Sequence, residues 1–425
     1  MSASSSPDVE PVRWTVLTRI AFRFFFSFFA LALPIPLFFQ GPRFLQMSAM
    51  FWDAIVPPFA KTFFGLQVEQ QQNGSGDSTW DWIQLFAIAM ISLAITLVWS
   101  VFDRKRTAYP RLYVWFRAYV RFALAMVMII YGTMKVIPLQ FTAPPLDRLM
   151  QRVGDMSPMG LLWTFMGASP AYVIFSGLGE LLGGLLLTMR RTALLGALVA
   201  AAVMLNVVVL NFSYDVPVKI FSSILLLAAL FIAAPDAKRL LHLLVLNRPV
   251  ETKPLEPAVR PPWLHNTLRI ARTAVVIWFV AMSLQRTWTS RQQFLQNDAR
   301  GELHGIWNVD DLTVDGVPRP PLLSDVTRWQ RVVFTSTRGM AIEQVDARRD
   351  RYMVTHDLKG FILKKRDDPR WSASFLSERP NSNTLLLRGA MDGRNIVATL
   401  RRTPPRQFLL TSRGFHWINE APYNR

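Results

Sequence analysis

The sequence predicts a multi-pass α-helical membrane bundle of about seven spans, followed by a C-terminal antiparallel β-barrel. Three observations predict it. Seven apolar stretches of membrane-crossing length lie within residues 18–286. After Asp298 the hydrophobic rhythm changes to a period of two. Lys and Arg fall unevenly on the two sides that the stretches define. Composition agrees, because 51% hydrophobic residues and a mean hydropathy of +0.23 rarely coincide in a water-soluble chain.

A bilayer core about 30 Å thick requires roughly 20 mostly apolar residues per helix. The stretches run Thr18–Phe39, Trp82–Phe102, Val114–Ile137, Tyr172–Met189, Thr192–Asn211, Val218–Ala234 and Arg269–Arg286. The first follows the polar MSASSSPDVEPVRW, contains Arg23 and two prolines, and lacks a small-residue cleavage site. It therefore reads as a retained helix, not a signal peptide. Phe44–Phe64 mixes Phe, Met and Trp with few charges and reads as an interfacial segment. Leu139–Pro170 carries Pro144–Pro145 and then SPMGLLWTFMG, too short to span, which reads as a re-entrant or interfacial helix. Pro249–Pro262 is an extended Pro-rich linker. In the last stretch the uncharged part is short, so Arg269 and Arg272 must snorkel. The domains expected are 1–111, 112–248, 249–298 and 299–425.

The net charge of +18 divides as +11 in residues 1–286 and +7 beyond. With a cytoplasmic N-terminus, 18 Lys and Arg of the helical region lie inside and 7 outside. The positive-inside rule thus favours N-in, and seven spans put the C-terminal domain outside the cytoplasm of a bacterial inner membrane. If the last stretch does not cross, the tail is cytoplasmic. The charge points to membrane lipid as a partner, and no nucleic-acid signature accompanies it. There are no cysteines, which excludes disulfides, thiolate nucleophiles, iron–sulfur clusters and c-type haem attachment within the chain.

Beyond Asp298, the runs RVVFTS, YMVTHDL, FILKK, TLLLRG, NIVATL and QFLLTS read as strands, separated by RDDPR, ERPNSN and MDGR. Short strands at this spacing suggest an antiparallel barrel or sandwich. Gly305–Ile306–Trp307 resembles the Gly-x-Trp of lipocalin-like barrels. Trp307, Trp329, Trp371, Phe415 and Trp417 are expected to fill the core, with Arg425 covering a Trp and His416 hydrogen-bonded at a barrel end. A small eight-stranded barrel can also hold one small ligand.

Polar residues inside a membrane are costly and mark candidate sites. Tyr131 and Lys135 sit one turn apart on the third stretch and share a face. Glu180 lies within SGLGELLGGLLL, Asn206 and Asn211 end the fifth stretch, Asp215 follows in NFSYDVPVK, and Lys219 opens the sixth. All fall near one depth in the outer half, which would assemble a nearly neutral pocket. Two readings stay open: a structural network in which Lys135–Glu180 and Asp215–Lys219 neutralise each other, or a ligand or proton-transfer pocket. Gly177, Gly179, Gly183 and Gly184 read as helix-packing positions, Gly179-x-x-x-Gly183 being a small-xxx-small pattern. No histidine lies inside a confident span, and no Ser-His-Asp signature, P-loop or dinucleotide fingerprint is present. A metal site is not expected.

YGTMKVIPLQF, SPMGLLWTFMGAS, SGLGELLGGLLL, RRT and LNFSYDVPVK resemble the DoxX-like membrane proteins, over about Arg121–Arg248. The resemblance implies a four-helix membrane core and a link to redox partners, with a quinone as the carrier in the pocket. The alternative function is a non-enzymatic lipid-binding or complex-assembly protein whose β domain docks a partner.

Overall fold

The computed structural model describes residues 13–33, 42–70, 76–251, 262–357, 359–368, 370–404 and 408–424. The polar N-terminal stretch up to residue 12, most of the Pro-rich linker and Arg425 lie outside the described residues. The chain divides into two compact units, Met1–Val136 with Ile174–Leu284, and Ile137–Val173 with Gln285–Arg425.

The first unit is helical. Its elements are α1 (Val16–Ala32), α2 (Pro42–Phe64), α3 (Thr79–Phe102), α4 (Pro110–Val136), most of α7 (Pro170–Thr188), α8 (Ala193–Ser213), α9 (Lys219–Ala233), α10 (Ala237–Leu244) and much of α11 (Pro262–Asn297). Six of the described helices are long and apolar enough to cross a membrane: α3, α4, α7, α8, α9 continued by α10, and α11 from Asn266. The helix α1 starts at Val16, ahead of the first predicted stretch, whose end falls on residues 34–39, outside the described residues.

Two of the helices begin where local chemistry meets the needs of their first turn. Ser78 caps α3 and forms a reciprocal capping box with Asp81. Pro110 opens α4, a position where its absent N–H is no loss. The helix α4 is the axis of the unit, with Val120, Leu124, Val127 and Met128 essentially inaccessible. Around its first half pack aromatic rings, including Phe22 stacked on Tyr109 at 5.4 Å and Phe26 against Phe116 at 4.8 Å. The outward side chains of α8 and α11, among them Leu195, Leu205, Ile270 and Ile277, are half-exposed or more, as a lipid-facing surface requires.

Two polar clasps tie connections together at opposite ends of the unit. At one end the backbone N–H of Trp14 donates to the Thr107 carbonyl at 3.1 Å. The buried Arg23 donates there to the Tyr109 hydroxyl (2.7 Å), the Ser100 hydroxyl (2.7 Å) and the Asp103 carbonyl (3.1 Å), and Tyr109 passes a bond on to the Asp103 carboxylate at 2.8 Å. At the other end Gly76 N–H donates to the Pro217 carbonyl at 2.9 Å. Asp77 accepts from the backbone N–H groups of Lys219 (2.6 Å) and Ile220 (3.0 Å), capping α9.

The second unit joins the segment 137–173, with short helices α5 (Leu146–Leu149) and α6 (Pro158–Ala168), to a β-barrel. The strands are β1 (Gly305–Val314), the two-residue β2 (Val317–Pro318), β3 (Trp329–Ser336), β4 (Gly339–Gln344), β5 (Arg349–Asp357), β6 (Gly360–Lys364), β7 (Ser372–Asn381), β8 (Thr384–Met391) and β9 (Arg394–Arg402). Every neighbour is antiparallel, and β1 pairs with both β3 and β9, which closes eight strands into a barrel. Alternate residues point inward, so Trp307, Phe334, Phe361, Phe375, Leu385 and Leu400 form one core. Trp307 is fully buried, donates from Nε1 to the Leu303 carbonyl at 2.8 Å, and is covered by the Arg402 guanidinium at 5.6 Å.

Three expectations for this half are corrected. QFLLTS is not a strand: residues 409–412 form a helical turn, α12. Pairing of β9 with β1 leaves no edge for another strand. Phe415 and Trp417 do not fill the core. They lie in the tail after β9 and are 75% and 90% exposed, outside the core that the strand residues form. His416 is likewise exposed in that tail. Among the described residues the cation over Trp307 is Arg402; Arg425, expected to cover a Trp, lies outside the described residues.

On the outer barrel face, Leu146 and Met150 of the 137–173 segment pack with Phe408 against Ile306, Val333 and Ala341. Arg349 donates to the Asp147 carbonyl and to the Met150 carbonyl (2.9 Å), and Arg351 Nε donates to the buried Asp147 carboxylate at 2.6 Å. Arg349 also pairs with buried Glu343, whose other oxygen accepts from Arg331 at 2.6 Å. Burial and the nearby Arg351 hold the Arg148 guanidinium below its usual pKa.

Candidate functional sites

The seven polar residues of the bundle divide into local groups. Lys135 on α4 and Glu180 on α7 are both almost wholly buried and hydrogen-bonded to each other through Lys135 Nζ and Glu180 Oε1. The helices touch here: a Cβ added at Gly177 would lie 2.6 Å from the Lys135 Cβ and 2.8 Å from the Gly132 carbonyl oxygen. Glu180 Oε2 is buried without a hydrogen-bond partner. Tyr131, one turn before Lys135, packs beside Phe221 with ring centroids 6.4 Å apart.

Asn211 on α8 donates to the Ser222 hydroxyl of α9 at 3.0 Å and serves helix packing. Asp215 sits in a left-handed conformation in the α8–α9 connection, and its exposed carboxylate takes Lys219 Nζ at 2.8 Å. Asp77 is the further anion here, at 4.0 Å from Lys219 Nζ. Sequence reading did not find Asp77, which is 142 residues from its partner and carries no spacing signal. Asn206 is exposed on the outside of α8 and is not brought to the others. Among the described residues no hydrogen bond or ion pair joins Lys135–Glu180 to Asn211 or to Lys219.

The glycines sort by the same contacts. Gly177 and Gly184 face α4 at backbone distance, Gly184 standing 3.0 Å (as a virtual Cβ) from the Ala125 carbonyl oxygen. Gly179 and Gly183 face α8, where the nearest atoms lie at an ordinary 3.4 Å.

A second site sits in the barrel. A cavity of about 390 Å³ opens at the end where β1, β4, β6 and β8 finish. This is the opposite end from Gly305, where the chain enters the barrel. The apolar side chains Leu312, Ile342, Met391 and Ile396 make its floor, and Trp329 and Tyr352 its walls. The β6–β7 connection brings Trp371 over Tyr352, stacked at 5.2 Å and 24°, with Lys365 Nζ 4.6 Å from the Trp371 ring. Burial raises the Tyr352 pKa far above the ordinary 10.0, so its hydroxyl stays protonated. Arg328 is buried at the rim and donates to four backbone carbonyls, those of Arg319, Trp329, Val309 and Asp310. The sequence signals for this site were the alternating strands and the tryptophans, but not which end of the barrel stays open.

No family model matches the chain, and no solved structure does. Over 121 residues, 28% of its length, the chain is 32% identical to the uncharacterized protein YwoB of Bacillus subtilis (strain 168) and covers 75% of that protein.

Proposed function

We propose, for a chain that belongs to the family of the uncharacterized Bacillus subtilis protein YwoB, that it is a membrane-anchored binding protein. In this reading the bundle crosses the cytoplasmic membrane with its N-terminus inside. The barrel binds a small ligand on the outer side, without catalysis. The cavity at the barrel mouth carries the reading, because its volume lies in the ordinary range of small-molecule sites and it joins an apolar floor to a polar rim.

Opposite sides for the N-terminus and the barrel have independent support in parity, while the positive-inside charge bias supplies the direction. Counting α1 with the six longer helices makes seven crossings, an odd number. Such a count puts the α3–α4 connection on the N-terminal side, where Trp14 and Arg19 bond to it. It puts residues 76–78 and 217–219 together on the far side, where Asp77 caps α9. It also puts 137–169 on the barrel's side, in keeping with the Asp147–Arg351 pair. The absence of cysteine makes a direct test simple. Ser382→Cys in the β7–β8 turn should react with a membrane-impermeant maleimide in intact cells, and Lys105→Cys only after permeabilisation. The reverse pattern would overturn the orientation. Binding is tested by native mass spectrometry of the full chain extracted gently from cells. A stoichiometric adduct lost on replacing Trp329 and Met391 by Ala supports the reading, and an unliganded chain counts against it.

A DoxX-like redox subunit working with a quinone is the second reading, favoured by the buried, unpartnered Glu180 Oε2. The ring of a quinone does not fit between α4 and α7 at this level, where even a methyl group has no room. In this reading the ring would lie beside Tyr131 instead, and no electron-transfer step follows from the geometry. Quinone recovered at one equivalent from purified protein, and lost in Tyr131→Phe, would favour this reading over the first.

A further inference from the structure

We infer that the barrel mouth selects a small monoanion, a carboxylate or phosphate ester on a flat apolar body; this rests on the binding reading above. Four cations line the cavity, Arg319, Arg328, Lys365 and Arg394, against three acids, Asp325, Asp350 and Asp392. The acids are already engaged. Asp325 holds Arg319 at 3.0 Å and the Thr327 hydroxyl at 2.9 Å. Asp350 accepts from Gln344 Nε2 at 3.0 Å, and Asp392 from Trp371 Nε1 at 2.6 Å.

The cations are not so engaged. Among the described residues, no carboxylate lies within ion-pair distance of Arg328, Lys365 or Arg394. Arg328 is only 3% exposed, and its four bonds to carbonyls use four of five N–H groups while leaving the charge uncompensated. A buried cation without a counter-charge is costly. An anion in the mouth would supply the counter-charge, and the formal excess of one positive charge sets the preferred ligand charge at minus one. Lys365 and Arg394 stand at the rim, where charge-assisted bonds to a carboxylate or phosphate form readily. The floor is apolar, and the walls Trp329 and Tyr352 are flat rings that suit a planar body.

The same anionic chemistry has two sources outside the membrane, a free small molecule or the headgroup end of an anionic lipid. The test uses the full chain in nanodiscs, with 4-(trifluoromethyl)benzoate as the probe followed by fluorine NMR. The neutral 4-(trifluoromethyl)benzamide is the comparison. The benzoate should bind saturably at one site and roughly tenfold tighter than the amide. Lys365→Gln with Arg394→Gln should weaken it by at least that factor and leave the amide unchanged. Arg388→Gln, on the outer face of β8, removes the same charge away from the mouth and should change nothing. Equal binding of benzoate and amide, or benzoate binding unmoved by the double variant, overturns the anion selectivity while leaving a binding barrel. Failure of both probes overturns the binding reading as well. Nanodiscs of phosphatidylglycerol against phosphatidylcholine identify the source. Competition by the anionic lipid assigns a headgroup, and its absence assigns a free anion.

Discussion

Replacing Lys135 by Met removes a charge but little volume, and its consequence can be worked from the geometry. The partner, Glu180, is 3% exposed, and one of its oxygens already lacks a bond. Lys135→Met leaves that carboxylate with no partner in an apolar packing layer. Breaking a buried pair from one side costs about 3–5 kcal/mol. Glu180→Leu strands the ammonium and should cost a similar amount. Replacing both should recover most of the loss, because a well-packed apolar pair is often neutral or stabilising. The coupling energy should thus exceed about 2 kcal/mol, well above the additivity error of distant sites. The assay is thermal unfolding in detergent, followed by tryptophan fluorescence. At about 2–4 °C per kcal/mol for a domain of this size, each single variant should lower the midpoint by roughly 6–20 °C. A double variant that loses as much as the two singles together would refute the reasoning, since the residues would then act independently.

The glycines give a contrast within one helix. Gly177→Ala must push α4 away and should cost about 1–3 kcal/mol, whereas Gly179→Ala has room and should be neutral or stabilising by up to about 1 kcal/mol through helix propensity. The same thermal assay separates them. Asp77→Ala strips the cap from α9 and should cost about 1–2 kcal/mol, while Asp77→Asn keeps an acceptor and tolerates the left-handed backbone at φ 61°. Burial, with Arg300 nearby, lowers the His304 pKa below 6.5. The folded state therefore holds fewer protons there than the unfolded chain, so stability falls as pH drops below 6.5. The barrel's unfolding midpoint should decline from pH 7 to 5, and His304→Gln should flatten that decline. Asp298 beside it has a raised pKa from burial, which lowers stability as pH rises above 3.8 and so acts in the opposite sense.

Much of the architecture was legible because membrane and barrel impose strong periodicities. A run of twenty apolar residues has few other fates, and alternation in YMVTHDL or NIVATL commits those residues to strands. QFLLTS has a composition like that of a true strand, yet its residues 409–412 form a helical turn, because barrel closure is decided by the pairing of β1 with β9 and not by local pattern. Phe415 and Trp417 mislead for a related reason: composition marks them as core, but they follow the last strand, and the core is made by inward-facing strand residues. For the bundle, depth was readable and azimuth was not. Asn206 and Asn211 are five residues apart on α8, so a helical rotation of about 500° places one outside and the other against α9. The pairing of Asp77 with α9, and of Asp147 with the barrel, joins residues more than a hundred positions apart and leaves no local trace.

The Asp147 clamp also has a clock in it. Its partners Arg349 and Arg351 lie 202 and 204 residues later in the chain. At a synthesis rate of about 5–20 residues per second, the 137–173 segment leaves the ribosome some 10–40 seconds before the strand that will neutralise it. During that interval Leu146 and Met150 have no barrel face to cover, and the acid that will be buried must stay in water. Docking of the 137–173 segment on the barrel therefore waits for β5, and a chain halted before β5 would leave Leu146 and Met150 uncovered.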